Sequence, residues 1–378
     1  MKIVMVGPVY PYKTGIAHYT GMLYKQLVKN HEVKIYSYSM MYPKIMYKKP
    51  QRDYDDDVTK IDGVEYVLNS ANPISWVSLA NRINKEMPEL VIFQWVHPYF
   101  APCNSVLERC LNKKIKIAYI CHNSLPHERF PFDRVLTKMT LKKADLIVAH
   151  SDSDAKELRQ MMKGINVAVN PHPVYNFFKV KDMPKDEGRK LLNLSDDNKV
   201  LLFFGLVREY KGLKHLLNAM PDIVKKYPET RLLIAGDFGS NKDSYLKIIE
   251  DKKIGEYIQI HDGHIPTADV EKFFAACDLV VLPYESATQS GVIQISYGFE
   301  KPVLATNVGG LPDVVDNMKT GYIVEPLRPD LIAESVADFF ENDRAEQFKQ
   351  NVIDSAYRFS WERMEECLLE NLRKSDQQ

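Results

Sequence analysis

PYESATQSGVIQISYGFEKPVLATNVGGLPD, residues 283–313, is the stretch whose reading decides the fold. It follows an apolar run of strand length, Asp278-Leu279-Val280-Val281-Leu282, and carries Tyr284 and Glu285 in a loop before Ser290-Gly291-Val292 opens a helical pattern. A second apolar run, Pro302–Thr306, then delivers the turn Gly309-Gly310-Leu311-Pro312 to the same side. Strand, turn, helix and strand in this order make a unit of a parallel sheet, whose ligands gather outside the carboxyl ends of the strands. The first turn of a helix offers free N–H groups and the positive end of a dipole, and a glycine there lets a diphosphate come close to the chain.

The remainder of the sequence sets the frame. At 378 residues the chain is long enough for two cores of roughly 180 residues each. Lys plus Arg (50) equals Asp plus Glu (50), which argues against a nucleic-acid partner. Cys103, Cys110, Cys121, Cys277 and Cys367 are odd in number and have no C-x-x-C spacing, so neither a disulfide framework nor a zinc site is expected. The first apolar run stops at Gly7-Pro8, too short for a signal-peptide core, and no uncharged apolar run approaches the ~20 residues of a spanning helix. A cytoplasmic protein, soluble or peripheral at the inner membrane face, is the expectation.

In the N-terminal half, Ile3–Val6 is a buried-strand run that feeds a turn-rich loop from Gly7 to Gly15 and a helical pattern from Ile16. Strand runs follow at Val33–Tyr36, Leu90–Phe93, Ile115–Ile120 and Asp145–Ala149, with helical patterns such as Trp76–Glu86 and Arg134–Lys143 between them. Alternating units predict a doubly wound α/β sheet. Polar groups stand where its strands should end: Gln94-Trp95-Val96-His97, Cys121-His122-Asn123 with Pro126-His127-Glu128, and His150-Ser151-Asp152. His122 is as well suited to structural hydrogen bonding as to function. Ser151, with Asp154 three positions on, reads first as a helix N-cap. Between Met40 and Arg52, apolar side chains alternate with Lys44, Lys48, Lys49 and Arg52, the text of either a surface loop or an anionic-membrane contact.

From Val174 to Asp197 periodicity fades and Pro and charge rise, so residues 176–197 are expected to be a linker between a domain of residues 1–175 and one of residues 198–357. The second series begins with Val200–Phe204 and continues through Gly212–Lys225, Arg231–Ala235, Tyr257–Ile260 and Val270–Ala276. Gly205-Leu206-Val207-Arg208-Glu209-Tyr210-Lys211-Gly212 sets two cations beside a glycine-opened helix. Structurally these read as ordinary surface charges; functionally, an Arg fork and a Lys point charge beside a helix N-terminus make a diphosphate clamp. Gly236-Asp237 ends a strand at the same edge.

Gly205–Gly212, Ala235-Gly236-Asp237, Pro283-Tyr284-Glu285, Lys301-Pro302-Val303 and Asn307–Asp313 together resemble the motif series of the family 4 retaining glycosyltransferases. The resemblance implies the GT-B fold, two Rossmann-like domains facing across a cleft, closed by a last helix (residues 358–378) that returns to the N-terminal domain. It implies a nucleotide-diphosphate sugar, UDP- or GDP-linked, as substrate, a sugar or lipid-linked acceptor as partner, and hexosyl transfer in polysaccharide or glycoconjugate synthesis. Arg208 and Lys211 would neutralise the leaving diphosphate, His122 would touch the donor sugar and Glu285 would lie beside it. Gly15, Gly205, Gly236, Asp237, Ser290, Gly291 and Val292 would line the donor. The family's second glutamate, eight positions after the first, is Ile293 here, and counting back from Lys301-Pro302 lands on Ile295; Gln294 offers a neutral substitute toward a ribose hydroxyl. No metal or cofactor is expected, because the two cations supply the charge and Asp55-Asp56-Asp57 sits in a charged loop. A nucleotide-sugar epimerase of the same fold and a non-catalytic sugar-nucleotide binder are the alternatives.

Overall fold

The computed structural model describes residues 1–47, 50–54, 60–125 and 131–375. Lys48, Lys49, Asp55-Asp56-Asp57 and Pro126-His127-Glu128, named above, lie outside the described residues, as do the last three. Along the chain run β1 (Lys2–Val6), α1 (Gly15–Leu27), β2 (Glu32–Met40), β3 (Glu65–Asn69), α2 (Pro73–Glu86), β4 (Leu90–Trp95), α3 (Ala101–Cys110), β5 (Lys116–Cys121), α4 (Asp133–Leu141), β6 (Leu146–Ala149), α5 (Asp152–Met161) and β7 (Val167–Val169). There follow α6 (Lys185–Leu191), β8 (Lys199–Phe204), α7 (Leu213–Lys226), β9 (Thr230–Gly236), α8 (Lys242–Asp251), β10 (Ile258–Asp262), α9 (Thr267–Ala276), β11 (Leu279–Leu282), α10 (Gly291–Gly298), β12 (Val303–Thr306), β13 (Gly321–Val324), α11 (Pro329–Glu341), α12 (Arg344–Asp354) and α13 (Trp361–Ser375). They form two compact units: Met1–Pro171 with Ser360–Gln378, and His172–Phe359.

The first unit is built on a seven-stranded sheet in the order β3-β2-β1-β4-β5-β6-β7, every neighbour parallel. Helices cover both faces of such a sheet, so its central strands are apolar throughout. Ile3, Val4 and Met5 on β1 and Leu90, Val91 and Ile92 on β4 are all fully buried. Each such side chain contributes about 2 kcal/mol on leaving water. The edge strand β3 buries only Leu68. Helix α13 belongs to this unit and packs on α1, where Gln26 Nε2 donates to Glu365 Oε2 at 2.7 Å and Trp361 sets its ring against Tyr19 at 5.0 Å between centroids.

The second unit repeats the plan with six parallel strands ordered β10-β9-β8-β11-β12-β13. Residues 176–197, expected as a linker, are folded into this unit instead. The buried Arg189 of α6 donates to Asp278 Oδ2 at 3.0 Å and to the carbonyls of Asn198 and Ala276 at 2.9 and 3.3 Å, which ties α6 to the start of β11. The carboxylate of buried Glu271 on α9 accepts the N–H groups of Val180, Lys181 and Met183 at 3.1, 2.9 and 2.9 Å. Charge in this stretch is spent on internal pairing, which composition alone does not distinguish from a solvated linker. No helix among the described residues is long and apolar enough to cross a membrane.

Candidate functional site

In the second unit the turn after β9 interlocks with the turn after β8, which approaches the start of α10, and the loop after β11 leads into that helix. Gly205 leaves β8 with φ +98°, and Gly236 ends β9 with φ +150°, where a Cβ would fall 1.9 Å from the Gly205 carbonyl oxygen. Only two glycines let these turns interlock. Val207 N–H then donates to the Asp237 carbonyl at 2.9 Å, and the Asp237 carboxylate closes its own turn by accepting Gly239 N–H at 2.7 Å.

The turns set the cations. Arg208 Nη1 donates to the Val207 carbonyl at 3.0 Å and lies 3.2 Å from where a Cβ on Gly239 would stand. Lys211 Nζ lies 3.2 Å from the Cβ position of Gly205 and 5.6 Å from the centre of the Tyr284 ring, while Val292 Cγ2 comes within 3.7 Å of the same Gly205 position. Lys211, Gly205 and the first turn of α10 therefore converge. Burial lowers the Lys211 pKa, and the neighbouring Arg208 charge adds to that. Among the described residues, neither Arg208 nor Lys211 has a carboxylate within ion-pair distance; Lys301, whose pKa burial also depresses, instead donates to the Ala275 and Cys277 carbonyls at 3.3 and 2.9 Å. Two adjacent cations left unmatched point to an anion from outside the protein.

Ser290 holds the N-cap position of α10 but makes no capping hydrogen bond; its Oγ is 3.2 Å from the buried Tyr284 hydroxyl. The first turn at Gly291 and Val292 thus carries no side-chain cap. The Gly309 turn docks on the loop before α10: with φ +53°, a Cβ there would lie 1.6 Å from the Ala287 carbonyl oxygen, and Gly310 N–H donates to the Thr288 carbonyl at 2.9 Å. Gln294 is buried, its carbonyl accepts Tyr175 N–H at 3.2 Å, and its Oε1 has no hydrogen-bond partner among the described residues. Ile293 is fully buried and Ile295 nearly so, so the two positions without a second glutamate are core positions.

Glu285 has partners that the sequence reading did not name. Its Oε1 is 2.9 Å from both Lys214 Nζ and His215 Nε2, in the first turn of α7, and its N–H donates to the Tyr210 carbonyl at 2.7 Å. Lys214 first, and His215 with it, hold the carboxyl below its usual range. The signal that could have found the pair is their place one helical turn beyond Gly212, which opens α7 against the Pro283 carbonyl.

The first unit carries the other candidates. Gly15 begins α1 behind a Thr14 cap that accepts Ala17 N–H at 3.0 Å, and nothing lies within 4 Å of a Cβ built on it. His122, just past β5, is buried; its Nε2 is 2.7 Å from Gln94 Oε1, and its ring meets Tyr19 edge-on at 4.7 Å. Gln94, at the end of β4, orients His122. Ser151 caps α5, accepting Asp154 N–H at 3.1 Å and donating to Asp154 Oδ2 at 2.7 Å.

Two Rossmann-like units of parallel sheet define the GT-B class, and solved structures agree over nearly the whole chain. Anabaena HepE in complex with UDP matches with a TM-score of 0.76 at 15% identity, covering 99% of this chain and 100% of that one. Sucrose-phosphate synthase from Thermosynechococcus elongatus matches with a TM-score of 0.73 at 16% identity, covering 99% of each chain. The profile described as "Glycosyl transferases group 1" matches residues 184–357, and "Glycosyltransferase Family 4" matches residues 13–175. The chain belongs to this glycosyltransferase family. Among curated relatives, the D-inositol 3-phosphate glycosyltransferase of Corynebacterium efficiens is 24% identical over 60% of this chain and 53% of its own, so the match spans about half that relative's length. Spore coat protein SA of Bacillus subtilis is 24% identical over 99% of this chain and 100% of its own.

Proposed function

We propose that this protein transfers a hexosyl group from a nucleoside-diphosphate donor, UDP- or GDP-linked, to a hydroxyl of a sugar or lipid-linked acceptor, with retention at the anomeric carbon. The observation that carries this reading is the pair Arg208 and Lys211, which has no carboxylate partner among the described residues and whose Lys211 converges with the uncapped start of α10 at Gly205. As the glycosidic C–O bond breaks, the electron pair goes to the β-phosphate oxygen, and preplaced positive charge stabilises that developing charge without reorganisation. The two side chains supply this charge themselves, so the reaction proceeds without a metal. The departing phosphate takes the acceptor's proton on the same face of the sugar. Gln294, with an unpartnered Oε1, accepts from a donor hydroxyl. HepE binds UDP in its own structure, which supports a nucleotide in the corresponding fold.

Membrane contact is the accompanying proposal for a lipid-linked acceptor. Ile45 (88% exposed), Met46 and Tyr47 stand out of the first unit beside exposed Lys44, while Arg52 is turned inward onto Tyr12 and the Ser39 carbonyl and takes no part. Apolar tips next to cations insert at anionic interfaces, each cation contributing about 1 kcal/mol. Sedimentation with anionic vesicles at low salt, lost at high salt, is expected; no pelleting contradicts it.

A thermal-shift panel of UDP-, GDP- and ADP-sugars tests the donor, because a ligand at 100 times its Kd adds about 2.7 kcal/mol to stability. One nucleotide series is expected to raise the midpoint, and the product formed with it is expected to keep the donor's anomeric configuration by NMR. No shift with any of the three contradicts the reading.

A further inference from the structure

The first unit holds a concavity that none of the donor-site candidates lines. A cavity of about 390 Å³ opens beside the loop after β1, lined among others by Tyr10, Arg52, Tyr54, Lys60, Asp62 and Tyr66. Its volume lies in the range of small-molecule sites. Three tyrosines around one cavity define what it accepts. The Tyr10 hydroxyl donates to the Tyr54 carbonyl at 2.9 Å, and the Tyr66 hydroxyl donates to the Tyr10 carbonyl. Both phenol protons are committed to protein carbonyls, so toward a ligand these residues offer aromatic surface and acceptor oxygens rather than donors. Tyr54 is 64% exposed and Tyr66 36%, a large aromatic area left to solvent.

Arg52 does not make this an anion site. Its Nη2 donates to the Ser39 carbonyl at 2.6 Å and the Tyr12 hydroxyl at 3.2 Å, its Nη1 donates to the Tyr54 hydroxyl at 3.3 Å, and its charge sits over the Tyr12 ring at 5.1 Å. The guanidinium is committed to fastening residues 50–54 onto the loop, where Asp53 N–H also reaches the Pro11 carbonyl at 2.7 Å. Exposed Lys60 and Asp62 give the rim one donor and one acceptor of opposite charge. Apolar faces within a polar, charge-balanced rim match a neutral sugar ring, whose C–H face stacks on aromatic surface while its hydroxyls reach the rim.

We propose that this cavity is a saccharide-binding pocket and that it holds a sugar unit of the acceptor. The acceptor role rests on the transferase reading; the binding does not.

Saturation-transfer NMR tests it with methyl glycosides of glucose, galactose, mannose and N-acetylglucosamine, without any donor. At least one glycoside receives saturation from the wild type. The signal falls at least fivefold in Tyr54→Ala and in Asp62→Ala, and persists in Tyr54→Phe, which keeps the ring. Tyr54 contributes its carbonyl, not its side chain, to the Tyr10 hydrogen bond, so Tyr54→Ala leaves that tie in place. Resonances of UDP and GDP respond equally in wild type and variants. No saturation of any glycoside, equal saturation in Tyr54→Ala, or displacement of the glycoside by free nucleotide overturns the proposal. Since no transfer is measured, a failed transferase assay leaves this result standing, and the reverse also holds.

Discussion

Glu285 shows how a residue's role depends on partners far away in sequence. The carboxylate is shared between Lys214 and His215, which hold it ionised at neutral pH. An ionised, fixed carboxylate suits orienting a sugar by accepting its hydroxyls, and suits protonating a leaving group poorly. Glu285→Gln keeps the shape and removes the charge. Turnover is expected to fall tenfold or more while the affinity for free nucleoside diphosphate, measured by calorimetry, stays within twofold; equal loss of both contradicts an orienting role. The sequence exposed Glu285 through its place after a strand. Lys214 and His215 sit 70 or so residues earlier, and only the folded chain joins them. The same is true of Gln94 and His122, joined across neighbouring strands β4 and β5.

At the scale of elements, two helices that open on glycine make a controlled contrast. Gly212, at φ +65°, begins α7 with a Cβ position 1.9 Å from the Pro283 carbonyl oxygen. Gly15 begins α1 in open space. Gly212→Ala is expected to lower unfolding stability by at least about 2 kcal/mol, from the left-handed backbone and the clash. Gly15→Ala is expected to leave the thermal midpoint within about 1 °C or raise it, while increasing the donor KM if, as the family resemblance implies, Gly15 lines the donor. Equal midpoints for both variants contradict the contrast. The buried strands and their glycine turns were legible because an apolar run and a glycine are local signals. Strand β3, which buries one residue, and α6, whose Arg189 looks solvated in the text, were not, since burial of a charge depends on the partner that receives it.

For the molecule as a whole, two buried groups of the first unit pull stability in opposite directions with pH. Burial holds His150 at about 4, below its ordinary 6.5, and pushes Glu108 up to about 7 from 4.5. Unfolded His150 binds protons more readily than folded His150 between these values, so its contribution is lost as pH falls through 6.5 toward 4. Folded Glu108 keeps a proton that the unfolded chain has released, so its contribution is lost as pH rises from 4.5 to 7. Each span of about 2.5 pH units corresponds to roughly 3 kcal/mol at most. Glu108→Gln, which imitates the protonated carboxyl, is therefore expected to match wild type in urea unfolding at pH 4.5 and to be about 2 to 3 kcal/mol more stable at pH 7.5. No change in the difference between the two pH values contradicts the buried, protonated Glu108. The central claim concerns the cations that the fold leaves unmatched at the end of β8. The most direct measurement is the rate of nucleoside-diphosphate release at saturating donor in wild type, Arg208→Ala and Lys211→Ala. A loss of roughly a hundredfold, about 3 kcal/mol of transition-state stabilisation, with unchanged unfolding midpoints is the predicted result; near-normal release in either variant would contradict it.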